Sequence, residues 1–342
     1  MPGRKHAMST DDLIHRIPES YLAIKEKIHE QIVGMDEVVD LLLSGILSRG
    51  HILLVGVPGL AKTLLIKTLS DLLDLQFSRI QFTPDLMPSD IIGTEVILDD
   101  SDTGTRHFSF MHGPVFCNIL LADEINRTPP KTQAALMEAM EEHQVTMGGK
   151  SYDIEQPFFV LATQNPIEQE GTYPLPAAQL DRFTFMVNVE YPNLSEEYRI
   201  IRMTTAPSTF KAEKILGREE ILQLTDLVAR LEAPRKILSL ATNLARLTRP
   251  GDPAAPESVK KYLAWGVGPR GAQGLIQTAK VRALLHGRRV PGEEDIRILA
   301  PHVFRHRMIM NFQGAAEDIN ADDILADVFD AASPRRSTSV RS

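Results

Sequence analysis

The first half of the chain alternates between two hydrophobic patterns. Short runs rich in Ile, Val, Leu and Phe have the length of β-strands, and the stretches between them repeat apolar residues at a helical period near 3.6. Because these runs are almost continuously apolar, we expect strands buried on both faces of a parallel sheet, and so an α/β fold. The predicted strands are 51–55, 77–82, 118–122, 158–163 and 183–189.

Helices and two insertions fill the spaces between these strands. Residues 62–73 place their leucines on one helical face, and 131–143 follow a pair of prolines that suit a first helical turn. Residues 95–110 and 144–154 each carry a polar centre between two strand-like arms, which predicts β-hairpins inserted into the α/β core. Two surface loops are the alternative interpretation of these insertions.

The pattern changes after about residue 206 to helices without strands, separated by turns rich in Gly and Pro. The predicted helices are 219–231, 236–247, 256–265, 269–286 and 293–302. We therefore predict four segments: an N-terminal arm over 1–20, an α/β core over 21–212, an all-helical lid domain over 213–330, and a disordered tail over 331–342.

Composition narrows the class of protein. Among 342 residues, 43% are hydrophobic and 24% charged, which is ordinary for a globular protein. Lys and Arg number 37 against 45 Asp and Glu, a net charge of −8 that argues against a broad basic surface for nucleic acid. The single cysteine, Cys117, excludes an internal disulfide framework, and we expect it to be a small buried hydrophobe. No apolar run is long enough to span a membrane, so we expect a cytoplasmic protein.

The strongest chemical signal is a glycine-rich turn between a predicted strand and a predicted helix. Such a turn presents backbone N–H groups at a positive helix end, where polyphosphates bind. Lys62 can reach the β- and γ-phosphates, and the Thr63 hydroxyl can ligate Mg²⁺. Ala61 departs from the GxxxxGK[ST] pattern, so its backbone must avoid positive φ or accept strain. A tight turn without a ligand is the alternative. The predicted nucleotide-binding residues are Gly56, Val57, Pro58, Gly59, Leu60, Ala61, Lys62, Thr63 and Leu64.

Polar side chains end two further strands of the predicted sheet. Asp123 and Glu124 follow one strand, and their side chains point in different directions, so Asp123 can hold Mg²⁺ through water while Glu124 orients or deprotonates an attacking water. Asn165 ends the next strand and can contact a γ-phosphate. Helix-end charges for the acidic pair, and a plain turn residue for Asn165, are the alternatives.

Several motifs together resemble the MoxR family of AAA+ ATPases. They are GlyValProGlyLeuAlaLysThr at 56–63, AlaAspGluIleAsnArg at 122–127, ProLysThrGlnAlaAlaLeuMetGluAlaMetGluGlu at 130–142, AlaThrGlnAsnPro at 162–166, LeuProAlaAlaGlnLeuAspArgPhe at 175–183, GlyProArgGly at 268–271 and PheArgHisArgMet at 304–308. The resemblance implies a P-loop core with two inserted hairpins followed by a helical lid. It also implies that an alanine at position 61 is usual for such a phosphate loop.

The resemblance assigns roles that spacing alone does not. Asn165 resembles the sensor of the γ-phosphate, Arg182 the arginine finger that reaches the nucleotide of a neighbouring subunit, and Arg270 the second sensor, in the lid. Ile32, Val33 and Gly34 match the segment that packs against adenine. For Arg182 the alternative is a surface residue at a helix end. Arg127 is equally compatible with coupling between subunits and with a plain surface role.

The family would make this chain a Mg²⁺-dependent ATP hydrolase in a homo-oligomeric, hexameric ring. Its turnover would remodel or activate a protein client, possible clients being proteins with a von Willebrand factor A domain. A DNA-stimulated motor is an alternative, but the hairpin tip over 147–150 offers one basic residue. A scaffold that binds ATP without useful turnover is another, but a scaffold needs neither Glu124 nor Arg182. His302 and His306 have the spacing of two metal ligands on one helix, without a third ligand beside them.

Overall fold

The computed structural model describes residues 10–57, 59–99, 106–166, 171–205 and 210–332. Contacts divide the chain between Arg230 and Leu231 into two compact units, unit 1 before that point and unit 2 after it. The elements of unit 1 are α1 (Thr10–His29), α2 (Asp36–Leu47), β1 (His51–Gly56), α3 (Lys62–Leu72), β2 (Phe77–Gln81), α4 (Pro88–Ile92), β3 (Gly93–Asp99), β4 (Arg106–His112), β5 (Ile119–Asp123), α5 (Pro130–Glu142), β6 (Gln144–Met147), β7 (Lys150–Asp153), β8 (Phe159–Gln164), α6 (Ala177–Leu180), β9 (Phe183–Val189), α7 (Leu194–Thr204) and α8 (Arg218–Arg230).

Five parallel strands form the sheet of unit 1, in the order β2-β5-β8-β1-β9. All five predicted strands are present, with ends that differ from the predictions by one residue at most. The inner strands β1, β5 and β8 are buried almost throughout, as their apolar sequences predict. Because the strands are parallel, Gly56, Gln81, Asp123 and Gln164 all end at one edge of the sheet.

Both predicted hairpins are present. Strands β3 and β4 pair in antiparallel register, and so do β6 and β7. The rings of Phe110 on β4 and Tyr152 on β7 stack with their centroids 4.2 Å apart, and His112 stacks on Phe116 at 4.1 Å. The two hairpins are therefore packed against each other by aromatic contacts.

The predicted N-terminal arm over 1–20 includes the first half of α1, which begins at Thr10 and belongs to unit 1. Leu13, Ile14 and Ile17 lie at helical spacing on a buried face of α1. Arg16 also forms an ion pair with Glu220 on α8 at 2.5 Å. This burial anchors α1 in the core, which the sequence segmentation at residue 20 did not anticipate.

The boundary between the units lies after Arg230, later than the predicted boundary at 212/213. The reason is α8, whose sequence resembles the helices that follow it but whose contacts are with α2. Arg49, just after α2, forms an ion pair with Asp226 on α8 at 2.6 Å. The predicted tail residues 333–342 lie outside the described residues.

Unit 2 is helical, as predicted, apart from one short ladder. Its elements are α9 (Arg235–Leu247), α10 (Glu257–Tyr262), β10 (Leu263–Trp265), α11 (Pro269–Leu285), α12 (Glu293–Phe304), β11 (Ile309–Met310), α13 (Phe312–Ala316) and α14 (Ala321–Ala332). The helix predicted over 256–265 ends at Tyr262 because the next residues pair with β11. Among the described residues, no helix has the length and hydropathy needed to cross a bilayer.

Candidate active site

The phosphate loop connects β1 to α3 at the carboxyl edge of the sheet. Gly56 ends β1 so close to β9 that a Cβ would lie 2.7 Å from the Val189 carbonyl oxygen, so this position requires glycine. Lys62 opens α3, and its Nζ donates a hydrogen bond to the Gly56 carbonyl at 2.7 Å. Partial burial lowers the pKa of Lys62, although the Asp123 and Glu124 carboxylates oppose this shift. Pro58 lies outside the described residues.

The backbone of Ala61 is strained, which is one of the two possibilities that the sequence left open for this position. Its φ is 54° and its ψ is 19°, which is the left-handed region, and it is the N-cap of α3. A residue with a Cβ pays about 1–2 kcal/mol for this conformation. Gly59 earlier in the loop is also left-handed, with φ at 84°. The turn therefore uses two left-handed residues to aim the first N–H groups of α3 into the loop.

Asp123 is held on both carboxylate oxygens. Its Oδ1 accepts a hydrogen bond from the Thr163 hydroxyl at 2.6 Å, and its Oδ2 accepts one from Arg79 on β2 at 2.6 Å. Thr63 lies in the first turn of α3 and is half-buried. A carboxylate and a hydroxyl are hard oxygen donors, so this donor set fits Mg²⁺.

Glu124 follows Asp123 in a left-handed backbone conformation, with φ at 58° and ψ at 48°. Its N–H donates to the Thr163 hydroxyl at 2.9 Å. Its Oε2 accepts two hydrogen bonds, from Gln81 Nε2 at 2.8 Å and from Arg127 Nη1 at 2.9 Å. Arg127, whose role the sequence left open, therefore contacts Glu124 directly.

Asn165 follows the last residue of β8 at the same edge of the sheet and is only 7% exposed. The structure therefore brings Lys62, Asp123, Glu124 and Asn165 to one edge, from three different strands. Leu60 and Leu64 flank the turn of the phosphate loop, and Leu64 is exposed on α3.

The segment predicted to contact adenine lies between α1 and α2. Ile32 and Val33 are buried, and Gly34 is left-handed with φ at 78°. A Cβ on Gly34 would lie 2.7 Å from the Glu196 carboxyl group, so this segment abuts the first turn of α7. The positive φ of Gly34 is the reason that this position favours glycine.

The two remaining predicted arginines lie elsewhere. Arg182 follows α6 and forms an ion pair with Glu141 on α5 at 2.6 Å. Arg270 is an exposed residue in the first turn of α11, in unit 2.

Sequence reasoning missed three polar residues that hold the acidic pair, namely Arg79, Gln81 and Thr163. A usable signal was present in β2, where two polar residues two apart must share one face of a strand. What the sequence lacks is the pairing of β2 with β5, which sets Gln81 opposite Asp123.

Comparison with known proteins agrees with this geometry. Residues 51–185 match the model of the ATPase family associated with various cellular activities (AAA), and residues 256–328 match the AAA lid domain. The chain is 40% identical to chaperone MoxR1 of Mycobacterium tuberculosis, over 95% of this chain and 83% of that protein. It is 29% identical to the protein MoxR of Methylorubrum extorquens, over 84% of this chain and 86% of that protein.

The chain is a member of the MoxR family of AAA+ ATPases. A solved structure supports the same conclusion at the level of the fold. A protein from Cytophaga hutchinsonii, described only as a candidate ATPase, superposes on this MoxR-family chain with a TM-score of 0.87 and 36% identity, covering 94% of this chain and 96% of that one.

The structure of this MoxR-family chain also shows the surroundings of Cys117 and of the pair His302 and His306. Burial raises the pKa of the Cys117 thiol to about 12, which makes it a poor nucleophile. His302 and His306 are buried in unit 2, and Arg307 donates a hydrogen bond to His306 Nε2 at 2.8 Å. Within the described residues, no group of three or more His, Cys, Asp or Glu side chains could hold a metal ion.

Proposed function

We propose that this chain hydrolyses ATP with Mg²⁺ and uses the turnover to remodel or activate a protein client. The observation that carries the proposal is that Lys62 and the Asp123–Glu124 pair lie at the same edge of the sheet. The turn before Lys62 contains left-handed residues. Cations and carboxylates arranged around a phosphate loop are what phosphoryl transfer requires. A binding scaffold would need the loop but not the second carboxylate.

The phosphate loop would bind the triphosphate through its N–H groups and Lys62. Thr63 and Asp123 would hold Mg²⁺, which supplies positive charge against the phosphate oxygens. The hydrogen bond from Lys62 to the Gly56 carbonyl supports this assignment, because it joins the ammonium group to the first residue of the loop.

Glu124 would orient and deprotonate the attacking water. Its Oε2 is held by Gln81 and Arg127, which fixes the position of the carboxylate. Asn165 would contact the γ-phosphate with an uncharged amide that does not compete for the water's proton. Arg182 of a neighbouring subunit and Arg270 of the lid would stabilise the charge that develops on the phosphates.

Replacing Glu124 by Gln tests this division of roles. We expect Glu124→Gln to bind a fluorescent ATP analogue as the parent does and to lose ATP hydrolysis by about 10²-fold or more. Glu257→Gln is the matched control, because the Glu257 side chain is 91% exposed on α10 and pairs with Lys260. Parental hydrolysis in Glu124→Gln would remove Glu124 from the mechanism.

The surface of the first hairpin supports a protein client over a nucleic acid. Ile97 and Phe108 face each other across β3 and β4, and they are 58% and 73% exposed. Apolar side chains suit a protein partner, whereas nucleic acid is bound mainly by cations. The hexameric ring, the cytoplasmic location and a client with a von Willebrand factor A domain belong to the same proposal. Stimulation of the ATPase by DNA, declining as salt rises, would favour the motor instead.

A further inference from the structure

A chain of hydrogen bonds runs through β2 and joins the two carboxylates of the candidate site. Arg79 Nη2 donates to Asp123 Oδ2 at 2.6 Å and to Gln81 Oε1 at 2.8 Å. Gln81 Nε2 then donates to Glu124 Oε2 at 2.8 Å. Since Arg79 and Gln81 are two residues apart on one strand, both side chains point to the same side of the sheet.

The direction of each hydrogen bond in this chain follows from Arg79. A guanidinium group can only donate, so the amide oxygen of Gln81 must face Arg79. The amide nitrogen must then face Glu124, which accepts. Arg79 therefore fixes the orientation in which Gln81 holds the Glu124 carboxylate.

Arg79 also neutralises Asp123 at an oxygen that a metal ion would use. Asp123 Oδ1 accepts from the Thr163 hydroxyl and Oδ2 from Arg79, so a second cation that approaches Oδ2 meets the positive charge of Arg79. The Arg79 side chain is 46% exposed, and an ion pair at such a site is weak enough to be exchanged.

We propose that Arg79 is a built-in counter-ion of Asp123 which Mg²⁺ must displace when it binds with nucleotide. Arg79 is then a positioning residue that sets how strongly nucleotide binding depends on Mg²⁺. Its displacement also releases Gln81 from the orientation that holds Glu124, so metal loading is linked to the setting of Glu124. This inference rests on the proposed nucleotide site.

The test measures how much Mg²⁺ strengthens the binding of a fluorescent, slowly hydrolysed ATP analogue. The quantity is the ratio of the dissociation constant in EDTA to that in Mg²⁺. In Arg79→Met we expect this ratio to rise about five-fold, because the competing cation is lost and Asp123 becomes an uncompensated charge beside the phosphates in EDTA.

Two further variants separate competition from a merely structural role. Arg79→Lys keeps the positive charge, so its ratio should return to near the parental value. Arg246→Met is the matched control, since it removes an exposed arginine that pairs with Asp252 in unit 2, and its ratio should equal that of the parent. If Arg79→Met fails to fold, Arg79→Gln carries the same expectation.

The link to Gln81 has its own measurement. Gln81→Leu removes the second acceptor of Arg79, so the ratio of dissociation constants should rise less than in Arg79→Met. The variant that carries both substitutions should have the same ratio as Arg79→Met alone. Independent, additive effects of the two substitutions would overturn the link.

A ratio that stays unchanged or falls in Arg79→Met overturns the competition with Mg²⁺. The proposed function fails in a different way, which Lys62→Ala reveals. If Lys62→Ala binds the analogue as tightly as the parent in both EDTA and Mg²⁺, the phosphate loop itself is wrong. Weak binding by Lys62→Ala together with an unchanged ratio in Arg79→Met rejects only the role of Arg79.

Discussion

Single residues of the candidate site occupy backbone conformations that their side chains disfavour. Ala61 and Glu124 both lie in the left-handed region, at the phosphate loop and directly after β5. Strained backbone conformations of this kind persist where several surrounding contacts hold them in place, and they are concentrated at functional sites. For Glu124 those contacts are the hydrogen bond that its N–H donates to the Thr163 hydroxyl and the two that its carboxylate accepts from Gln81 and Arg127. For Ala61 the strain itself can be measured.

Replacing Ala61 by Gly should stabilise the protein by about 1 kcal/mol, because glycine adopts positive φ without the Cβ penalty. The free energy of unfolding in urea measures this change. Ala326→Gly is the matched control. Ala326 is exposed within α14, so the same substitution there should cost about 1 kcal/mol. An equal loss in both variants would show that Ala61 is not strained.

At the scale of elements, one buried histidine joins β1 to two neighbours. His51 Nδ1 accepts a hydrogen bond from the Val160 N–H on β8 at 3.0 Å, so the proton lies on Nε2, which donates to the Met140 carbonyl on α5 at 3.2 Å. This arrangement requires a neutral ring, since a second ring proton would face the Val160 N–H. Burial lowers the pKa of His51 to about 4, and nearby His143 acts in the same direction.

The protein should therefore lose stability in acid. His51 has its ordinary pKa of 6.5 when unfolded and about 4 when folded, so its neutral form favours folding above 6.5. This contribution, up to about 3 kcal/mol, is lost as the pH falls from 6.5 through 4. Urea unfolding at several pH values measures it.

The variant His51→Asn keeps an acceptor for Val160 but does not titrate, so its stability should fall less over the same pH range. His286→Asn, at the exposed end of α11, controls for the loss of an imidazole in general. A parental acid loss in His51→Asn would assign the effect to other groups.

At the scale of the whole molecule, the residues with proposed roles in hydrolysis belong to both units. The phosphate loop and acidic pair lie in unit 1, Arg270 lies in unit 2, and Arg182 pairs with Glu141 on α5. If Arg182 serves a neighbouring subunit, two inactive variants should complement each other, because each supplies what the other lacks.

Mixing Glu124→Gln with Arg182→Ala tests this expectation. A subunit with intact Glu124 can receive Arg182 from its neighbour, so equal mixing should restore about one quarter of the parental ATPase activity per site. Each variant alone should be nearly inactive. As a control for subunit exchange, two preparations of the same variant that carry different tags are mixed. Absence of recovery in exchanging rings would place Arg182 outside the neighbour's site.

The sequence determined the strands, both hairpins and most of the candidate site, because these depend on local patterns. Apolar runs predict buried parallel strands, and the phosphate loop and the acidic pair are contiguous motifs. Only the tertiary structure decided what surrounds the acidic pair. Arg79 and Gln81 reach Asp123 and Glu124 because β2 pairs with β5 in one register, and that pairing joins residues some forty positions apart.

The same reason explains why the unit boundary of the structure differs from the segments drawn on the sequence. Helix α1 and helix α8 look like separate segments by composition, but the contacts of each join it to unit 1. Helical periodicity shows which face of a helix is apolar and not which surface will cover it. The partner of an apolar face, like the partner of a strand edge, is decided by the packing of the whole unit.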